Sequence, residues 1–181
     1  IGIAIPVAIV GLVLKLKLVE HPVVMGCINL TALGIIIALG AFLAKSPLRE
    51  VFPFAPVRLS LVMPMLLSVI GAVILLSEAD NCVRYFWRPP EWLVKIFGDL
   101  TSAKTSFWGS LFTLVIVAPL TEELLFRGVI LHGFLSRYTV TKSIVWSAIL
   151  FGLIHLNPWQ LTSGIGLGLL LGWWLVRTRS L

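Results

Sequence analysis

The stretch APLTEELLFRGVILHGF, from Ala118 to Phe134, places charged side chains in an otherwise apolar run. Glu122, Glu123 and Arg127 are surrounded almost entirely by aliphatic and aromatic residues. An ionised carboxylate in hydrocarbon is costly, so such groups pair, become neutral or face water. Charges in this position therefore indicate a functional site as well as a fold.

The composition of the whole chain indicates a membrane protein. Of its 181 residues, 59% are hydrophobic and 12% are charged, and the mean hydropathy is +1.04. The charged share is about half the roughly 25% of an ordinary soluble domain. This excludes disorder and disfavours a soluble globule. The strands of an outer-membrane barrel would alternate apolar and polar residues, which these runs do not. We therefore predict an all-α, polytopic integral-membrane helical bundle.

Apolar runs predict about six transmembrane helices within a single integral-membrane domain, residues 1–181. A membrane-spanning helix needs about 20 apolar residues. The runs are Ile1–Leu14, Val23–Ala44, Leu59–Leu76, Phe107–Ser136, Ser143–Leu156 and Leu161–Val176. The first run is short and lacks the basic leader of a signal peptide. Since the chain also begins with Ile, we expect residues to be missing at its start.

A short amphipathic helix is predicted near residues 90–100, between the third and fourth runs. Pro89-Pro90 stops one element and suits the start of the next. Apolar residues recur after it at helical spacing, at Trp92, Leu93, Ile96, Phe97 and Leu100. Such a helix either lies in the membrane interface or packs on the protein.

Basic residues give the chain a net charge of +6, and nearly all of them lie between the apolar runs. They are typical of anchors at anionic headgroups, and no basic face predicts a nucleic-acid partner. One side of the predicted bundle collects Lys45, Arg49, Arg58, Arg137, Lys142, Arg177 and Arg179. The other collects Lys15, Lys17, Arg84, Arg88, Lys95 and Lys104. The loop between helices five and six has no Lys or Arg, which favours the first side as cytoplasmic only slightly.

The charged cluster can pair within its own helix. Glu123 and Arg127 are four residues apart with Glu first, the favourable order for an intrahelical ion pair. Glu122 points about 100° away around the helix axis. One carboxylate can therefore pair while the other stays available, or the two can share the arginine. A purely structural Glu123–Arg127 pair is the plain alternative.

His155 is predicted to lie at the same membrane depth as Glu122. Glu122 is 15 residues before Arg137, and His155 is 13 residues after Lys142. At about 1.5 Å per residue, both lie roughly 20 Å from one membrane face. A carboxylate and an imidazole at matched depth could hold and deprotonate a water, or supply two ligands to a metal such as zinc. A histidine satisfied at the interface is the alternative.

Other small or polar residues are interpreted structurally. Gly164, Gly168 and Gly172 fall four apart in the sixth run and permit close helix packing. His132 is expected at the interface. Pro119, just before the glutamates, is expected to break or kink its helix. Asn157-Pro158 is expected to stop the fifth helix. Two cysteines are too few for a disulfide framework.

At the charged cluster and the histidine the sequence resembles the CPBP family, which includes CAAX prenyl endopeptidases and bacterial Abi-type proteins. EELLFRG resembles its EExxxR motif, and FGLIH its FxxxH motif. The resemblance covers about Pro89–Leu181, as a CPBP-like core. Residues 1–80, the N-terminal helices, resemble no family and lie where this one varies.

The resemblance implies an intramembrane endopeptidase that hydrolyses a peptide bond near the membrane surface. Glu122 and His155 would activate a water, and Glu123 and Arg127 would support the site or orient substrate. Whether the family uses a metal, such as zinc on Glu122 and His155, or a glutamate-activated water stays open. Its members carry a further helix with an HxxxN or HxxxD motif after a segment like RTRSL, and we expect that helix to be missing at the end of this chain. A catalytic zinc takes three protein ligands, and only two are visible here.

Two other functions are weighed against the peptidase. One is a non-catalytic CPBP-like subunit of a larger membrane complex. The other is a transporter with a relay of buried carboxylates, which is disfavoured because only two helices carry charges. The expected partners are membrane lipids, a peptide or protein substrate that can be lipidated, and, for the subunit, other membrane proteins. We expect a bacterial inner membrane as the location.

Overall fold

The computed structural model describes residues 22–101 and 103–181, and these residues form seven helices. The helices are α1 (Pro22–Ala44), α2 (Leu48–Val51), α3 (Leu59–Phe86), α4 (Glu91–Thr101), α5 (103–135), α6 (Val140–Leu153) and α7 (Pro158–Thr178). The predicted all-helical fold is therefore confirmed. The first predicted helix, Ile1–Leu14, lies outside the described residues.

Three of these helices are long and apolar enough to cross a membrane. They are Gly26–Ala44 within α1, the whole of α3 and the whole of α7. The fifth predicted span is shorter than a bilayer is thick, since α6 has 14 residues. Six spans therefore stay a prediction.

Helix α3 extends to Phe86, well beyond the predicted end at Leu76. The extra turns carry polar residues that pair along the helix, with Arg84 Nε 2.6 Å from Asp80 Oδ2. Partners at i and i+4 favour continued helix. The polar stretch after Leu76 is thus partly helix and only partly a loop.

Helix α4 begins directly after Pro89-Pro90, as predicted. It packs on the protein through Leu93, which is buried against Trp159. Trp92 and Val94 are exposed. Helix α4 therefore packs on the protein through Leu93, while part of its apolar surface stays exposed.

Helix α5, which carries the charged cluster, changes its winding twice. Two π-helical segments, Thr113–Val117 and Leu124–Ile130, flank the α-helical segment Ala118–Glu123. The predicted break at Pro119 is replaced by a continuous helix with a wide turn just before the proline. Single π turns within α-helices occur often at functional sites.

Helices α6 and α7 form a tightly packed hairpin. An ideal Cβ on Gly168 would lie 2.7 Å from Ala148 Cα, and one on Gly164 would lie 2.9 Å from Gly152 Cα. Only glycine permits such approach of two backbones. The predicted packing role of this glycine row is confirmed. Asn157 begins α7 by accepting hydrogen bonds from the next two backbone amides, at 3.0 and 3.2 Å, which is the expected role of an N-cap asparagine.

The remaining helices pack around this hairpin and α5. Helix α1 runs parallel to α5, because Gly26 contacts Thr113 and Gly40 contacts Val129. The core between them and α6 consists of Leu33, Leu125, Phe126 and Phe151. Helix α7 also contacts α3, where Gly166 meets Leu76.

The segment 45–58 closes one end of the bundle. Its backbone bonds to the end of α7, with Ala55 N donating to Arg179 O at 3.2 Å and Leu181 N donating to Pro53 O at 2.8 Å. On its other side Ser46 Oγ lies 3.1 Å from His132 Nε2. His132 is therefore tied to this segment at the end of the bundle.

Candidate active site

The two glutamates and the arginine of the charged cluster all lie near the junction of the α and π segments in α5. Glu122 and Arg127 are buried, with 7% and 2% of their surface exposed. Glu123, the residue before the π segment, is half-buried. The sequence thus places two of three costly groups inside the bundle, where each needs a compensating partner.

Arg127 meets three kinds of partner. Its Nη1 lies 3.1 Å from Glu123 Oε1, which is the predicted pair at i and i+4. Its Nη2 donates to the Leu167 carbonyl of α7 at 3.4 Å. Its guanidinium carbon lies 4.3 Å from the centre of the Phe151 ring, within the range of a cation–π contact. The arginine therefore joins α5 to both helices of the hairpin.

The contact between Arg127 and Glu123 is an ion pair without hydrogen-bond geometry. Nη1 is 3.1 Å from the carboxylate oxygen, yet it has no hydrogen-bond partner. The distance fits but the direction does not, since a hydrogen bond weakens steeply away from linearity.

His155 is buried just beyond the end of α6, with 7% of its surface exposed. Its Nδ1 lies 2.7 Å from the Phe151 carbonyl oxygen. A carbonyl can only accept, so Nδ1 carries the proton of the neutral ring and Nε2 keeps its lone pair. The Phe151 ring stands at 87° to the imidazole, with centres 5.2 Å apart. One phenylalanine thus orients both Arg127 and His155.

Glu122 lies within electrostatic range of both Arg127 and His155. The four predicted site residues therefore occupy one region between α5 and the α6–α7 hairpin. A buried carboxylate near an imidazole nitrogen with a lone pair can accept and return a proton. The water that Glu122 and His155 are predicted to hold between them stays a prediction.

Several residues around the site were not assigned to it from the sequence. Ser147 Oγ donates to the Phe126 carbonyl at 3.2 Å, which fastens α6 to the π segment of α5. An ideal Cβ on Gly164 would lie 3.7 Å from His155 Cε1. The glycine row was visible in the sequence, but its closeness to the histidine depends on how α7 returns along α6.

The described residues offer few side chains that could bind a metal ion at this site. Within 22–101 and 103–181, no group of three or more His, Cys, Asp or Glu side chains is placed to hold an ion. Glu122 and His155 supply two donors, one fewer than the three protein ligands of a catalytic zinc. This donor set does not fit a catalytic zinc without a further ligand.

Comparison with known proteins finds one family. Residues 104–181 match the family model described as type II CAAX prenyl endopeptidase Rce1-like. This match contains both motifs that carry the resemblance, and it begins later than the predicted Pro89. No curated protein and no solved structure matches the chain.

Proposed function

We propose, on the premise that residues 104–181 match the family model of Rce1-like type II CAAX prenyl endopeptidases, that the protein is an intramembrane endopeptidase. Its reaction is hydrolysis of a peptide bond by a water activated between Glu122 and His155. One observation carries this assignment. The hydrogen bond of His155 Nδ1 to the Phe151 carbonyl leaves Nε2 as an acceptor in the same region as the Glu122 carboxylate.

In the proposed reaction, the two side chains hold one water by its two hydrogens. Glu122 takes a proton as the water oxygen bonds to the peptide carbonyl carbon. His155 Nε2 accepts the second hydrogen bond and keeps the oxygen aimed at that carbon. The tetrahedral intermediate then collapses, the C–N bond breaks, and the proton on Glu122 passes to the leaving amine. General acid–base catalysis of this kind typically contributes about 10²–10⁴-fold to a rate.

Arg127 and Glu123 are positioning residues in this proposal. The guanidinium offsets the negative charge of the two adjacent glutamates, and the pair at 3.1 Å holds this charge in place. Contact with the Phe151 ring ties the same guanidinium to the residue whose carbonyl orients His155. No step passes through a metal, because the described donors are one short of a catalytic zinc site.

The second candidate is a non-catalytic subunit of a membrane complex. It is favoured by the structural part that the charged cluster plays, since Arg127 joins α5 to both α6 and α7. The two functions differ in what the unaltered protein does to a peptide.

An assay in liposomes tests the enzyme. The probe is a farnesylated peptide ending in a CAAX tetrapeptide, with a quenched fluorophore across the bond to be cut. We expect Glu122→Gln and His155→Asn each to lower cleavage by at least about 100-fold while the melting temperature stays close to that of the unaltered protein. Glu91→Gln, which makes the same change at an exposed glutamate at the start of α4, serves as the control.

The outcomes separate the two candidates. Cleavage at the normal rate by both Glu122→Gln and His155→Asn contradicts the mechanism. If the unaltered protein leaves the farnesylated peptide and its unprenylated counterpart intact, the result favours the non-catalytic subunit over the endopeptidase.

A further inference from the structure

A cavity of about 420 Å³ lies at the end of the bundle closed by segment 45–58. This cavity, the end cavity, is bounded by that segment, by α5 and by the last turns of α7. Its polar lining residues are Arg49, Glu50, Arg127, His132 and Arg179. Apart from Arg127, its lining residues have no role in the proposed reaction, which needs Glu122 and His155.

The end cavity has an uneven charge. Three guanidinium groups and a single carboxylate line it. The charge of Arg127 is matched by Glu123 at 3.1 Å. Glu50 is therefore the one lining carboxylate that can offset the charges of Arg49 and Arg179. An anion entering the cavity would meet a net positive environment.

Arg127, which lines the cavity, has one nitrogen without a hydrogen bond, although that nitrogen is in ion-pair range of Glu123. Only 2% of the residue is exposed, and its Nη1 has no hydrogen-bond partner. Buried polar groups are almost always hydrogen-bonded, so a buried donor without an acceptor suggests an acceptor that the protein itself does not provide.

The position of the end cavity favours a lipid phosphate over other anions. Residues 45–58, 135–142 and 177–181 at this end carry seven Lys or Arg and one acid, Glu50. Juxtamembrane clusters of this kind attract anionic lipid headgroups, and the planar fork of arginine matches phosphate oxygens. The rest of the lining is apolar, from Val51, Pro53, Leu135, Leu175 and Val176. That surface suits the glycerol and upper acyl chain of a lipid better than it suits a hydrated ion.

We propose that the end cavity, with Arg49 and Arg179 at its exposed rim and buried Arg127 in its wall, binds the phosphate of an anionic phospholipid. Arg127 also pairs with Glu123, so the same guanidinium would connect lipid binding to the charged cluster. This site does not depend on the proposed peptidase activity.

Native mass spectrometry of the detergent-solubilised protein tests the proposal. Phosphatidylglycerol and phosphatidylcholine with identical acyl chains are titrated separately. We expect phosphatidylglycerol to bind more tightly, and the double substitution Arg49→Gln/Arg179→Gln to weaken it about tenfold, as expected for the loss of charge-assisted hydrogen bonds to phosphate. Arg58→Gln/Arg137→Gln removes the same charge at the same end from residues that do not line the cavity, and it should weaken binding far less.

Three further results decide the question. Equal weakening by both double substitutions means that general surface charge binds the lipid, and it overturns the site. Equal binding of the two lipids also overturns it. If inorganic phosphate raises the melting temperature at fixed ionic strength, and does so only when Arg49 and Arg179 are present, the site stands but its ligand is a soluble phosphate. Should Arg49→Gln/Arg179→Gln fail to fold, Arg49→Lys/Arg179→Lys replaces it, because lysine keeps the charge and loses the planar fork.

Discussion

Arg127 connects three helices in the interior of the bundle. It touches Glu123 in its own helix, the Phe151 ring in α6 and the Leu167 carbonyl in α7. The contact with Glu123 follows from the sequence, because residues at i and i+4 share a helix face. The other two contacts join residues distant in sequence, and no local spacing could predict them.

The Arg127–Glu123 pair can be measured by a double-mutant cycle. Glu123→Gln removes the carboxylate that pairs with the buried guanidinium, and Arg127→Met removes the guanidinium itself. We expect the two substitutions together to be less destabilising than the sum of their separate effects, with a coupling of about 1–3 kcal/mol. This is below the 3–5 kcal/mol of a fully buried pair, because Glu123 is partly exposed. Thermal unfolding in detergent gives the values, and strictly additive effects would show that the ion pair contributes nothing.

The sequence predicted the depth of His155 in the bundle but not the orientation of its ring. Counting residues from the loop between the fourth and fifth predicted helices placed it near Glu122 in depth. The hydrogen bond to the Phe151 carbonyl forms because α6 ends at Leu153, which lets the histidine fold back beside the last turn. Helical periodicity gives no information about such an ending.

At the scale of the helices, the glycine spacing predicted a helix contact correctly, whereas the proline did not predict the course of its helix. Gly164, Gly168 and Gly172 indicated a close helix contact, and that contact is with α6. Pro119 indicated a break, whereas α5 continues through it after a π-helical turn. A change from α to π winding depends on packing against neighbouring helices. The run is apolar on the sides that face lipid and on those that face protein, so its sequence gives no signal of the change.

The close contact between α6 and α7 predicts that adding one methyl group at Gly168 lowers stability. Gly168→Ala would place Cβ 2.7 Å from Ala148 Cα, so α6 and α7 must separate. We expect a loss of about 1–3 kcal/mol of stability, typical of overpacking. Gly71→Ala is the matched control, since nothing lies within 4 Å of its Cβ position. Replacing that mid-helix glycine should be neutral or stabilising by up to about 1 kcal/mol, and equal effects of the two substitutions would contradict the contact.

At the scale of the molecule, the sequence predicted helices well and membrane crossings less completely. Composition alone indicated an all-helical bundle. Helix α3 is longer than predicted. The charged residues after Leu76 indicate a loop when only composition is considered, but Asp80 and Arg84 pair along the helix. The grouping of the basic segments 45–58, 135–142 and 177–181 at one end was anticipated from the alternation of runs and loops.

Labelling from the two sides of the membrane tests whether α3 crosses it. In a protein with Cys27 and Cys82 replaced by Ser, single cysteines are introduced by Arg58→Cys and Arg88→Cys, on either side of α3. An impermeant thiol reagent added outside sealed vesicles should label one of them, and lysed vesicles should show both. Labelling of both from outside would mean that α3 lies along the membrane rather than through it.

The proposed reaction requires that Glu122 on α5 and His155, just beyond the end of α6, lie close together. In the same cysteine-free protein, Glu122→Cys/His155→Cys is treated with a short cross-linker that reacts with two thiols, and the linked product is identified by mass spectrometry after proteolysis. Leu120→Cys/His155→Cys is the control, because Leu120 is exposed on α5 close to the same level. We expect efficient cross-linking of the first pair and little of the second. A first pair that stays unlinked, in protein that is folded and reactive at both cysteines, would contradict the site.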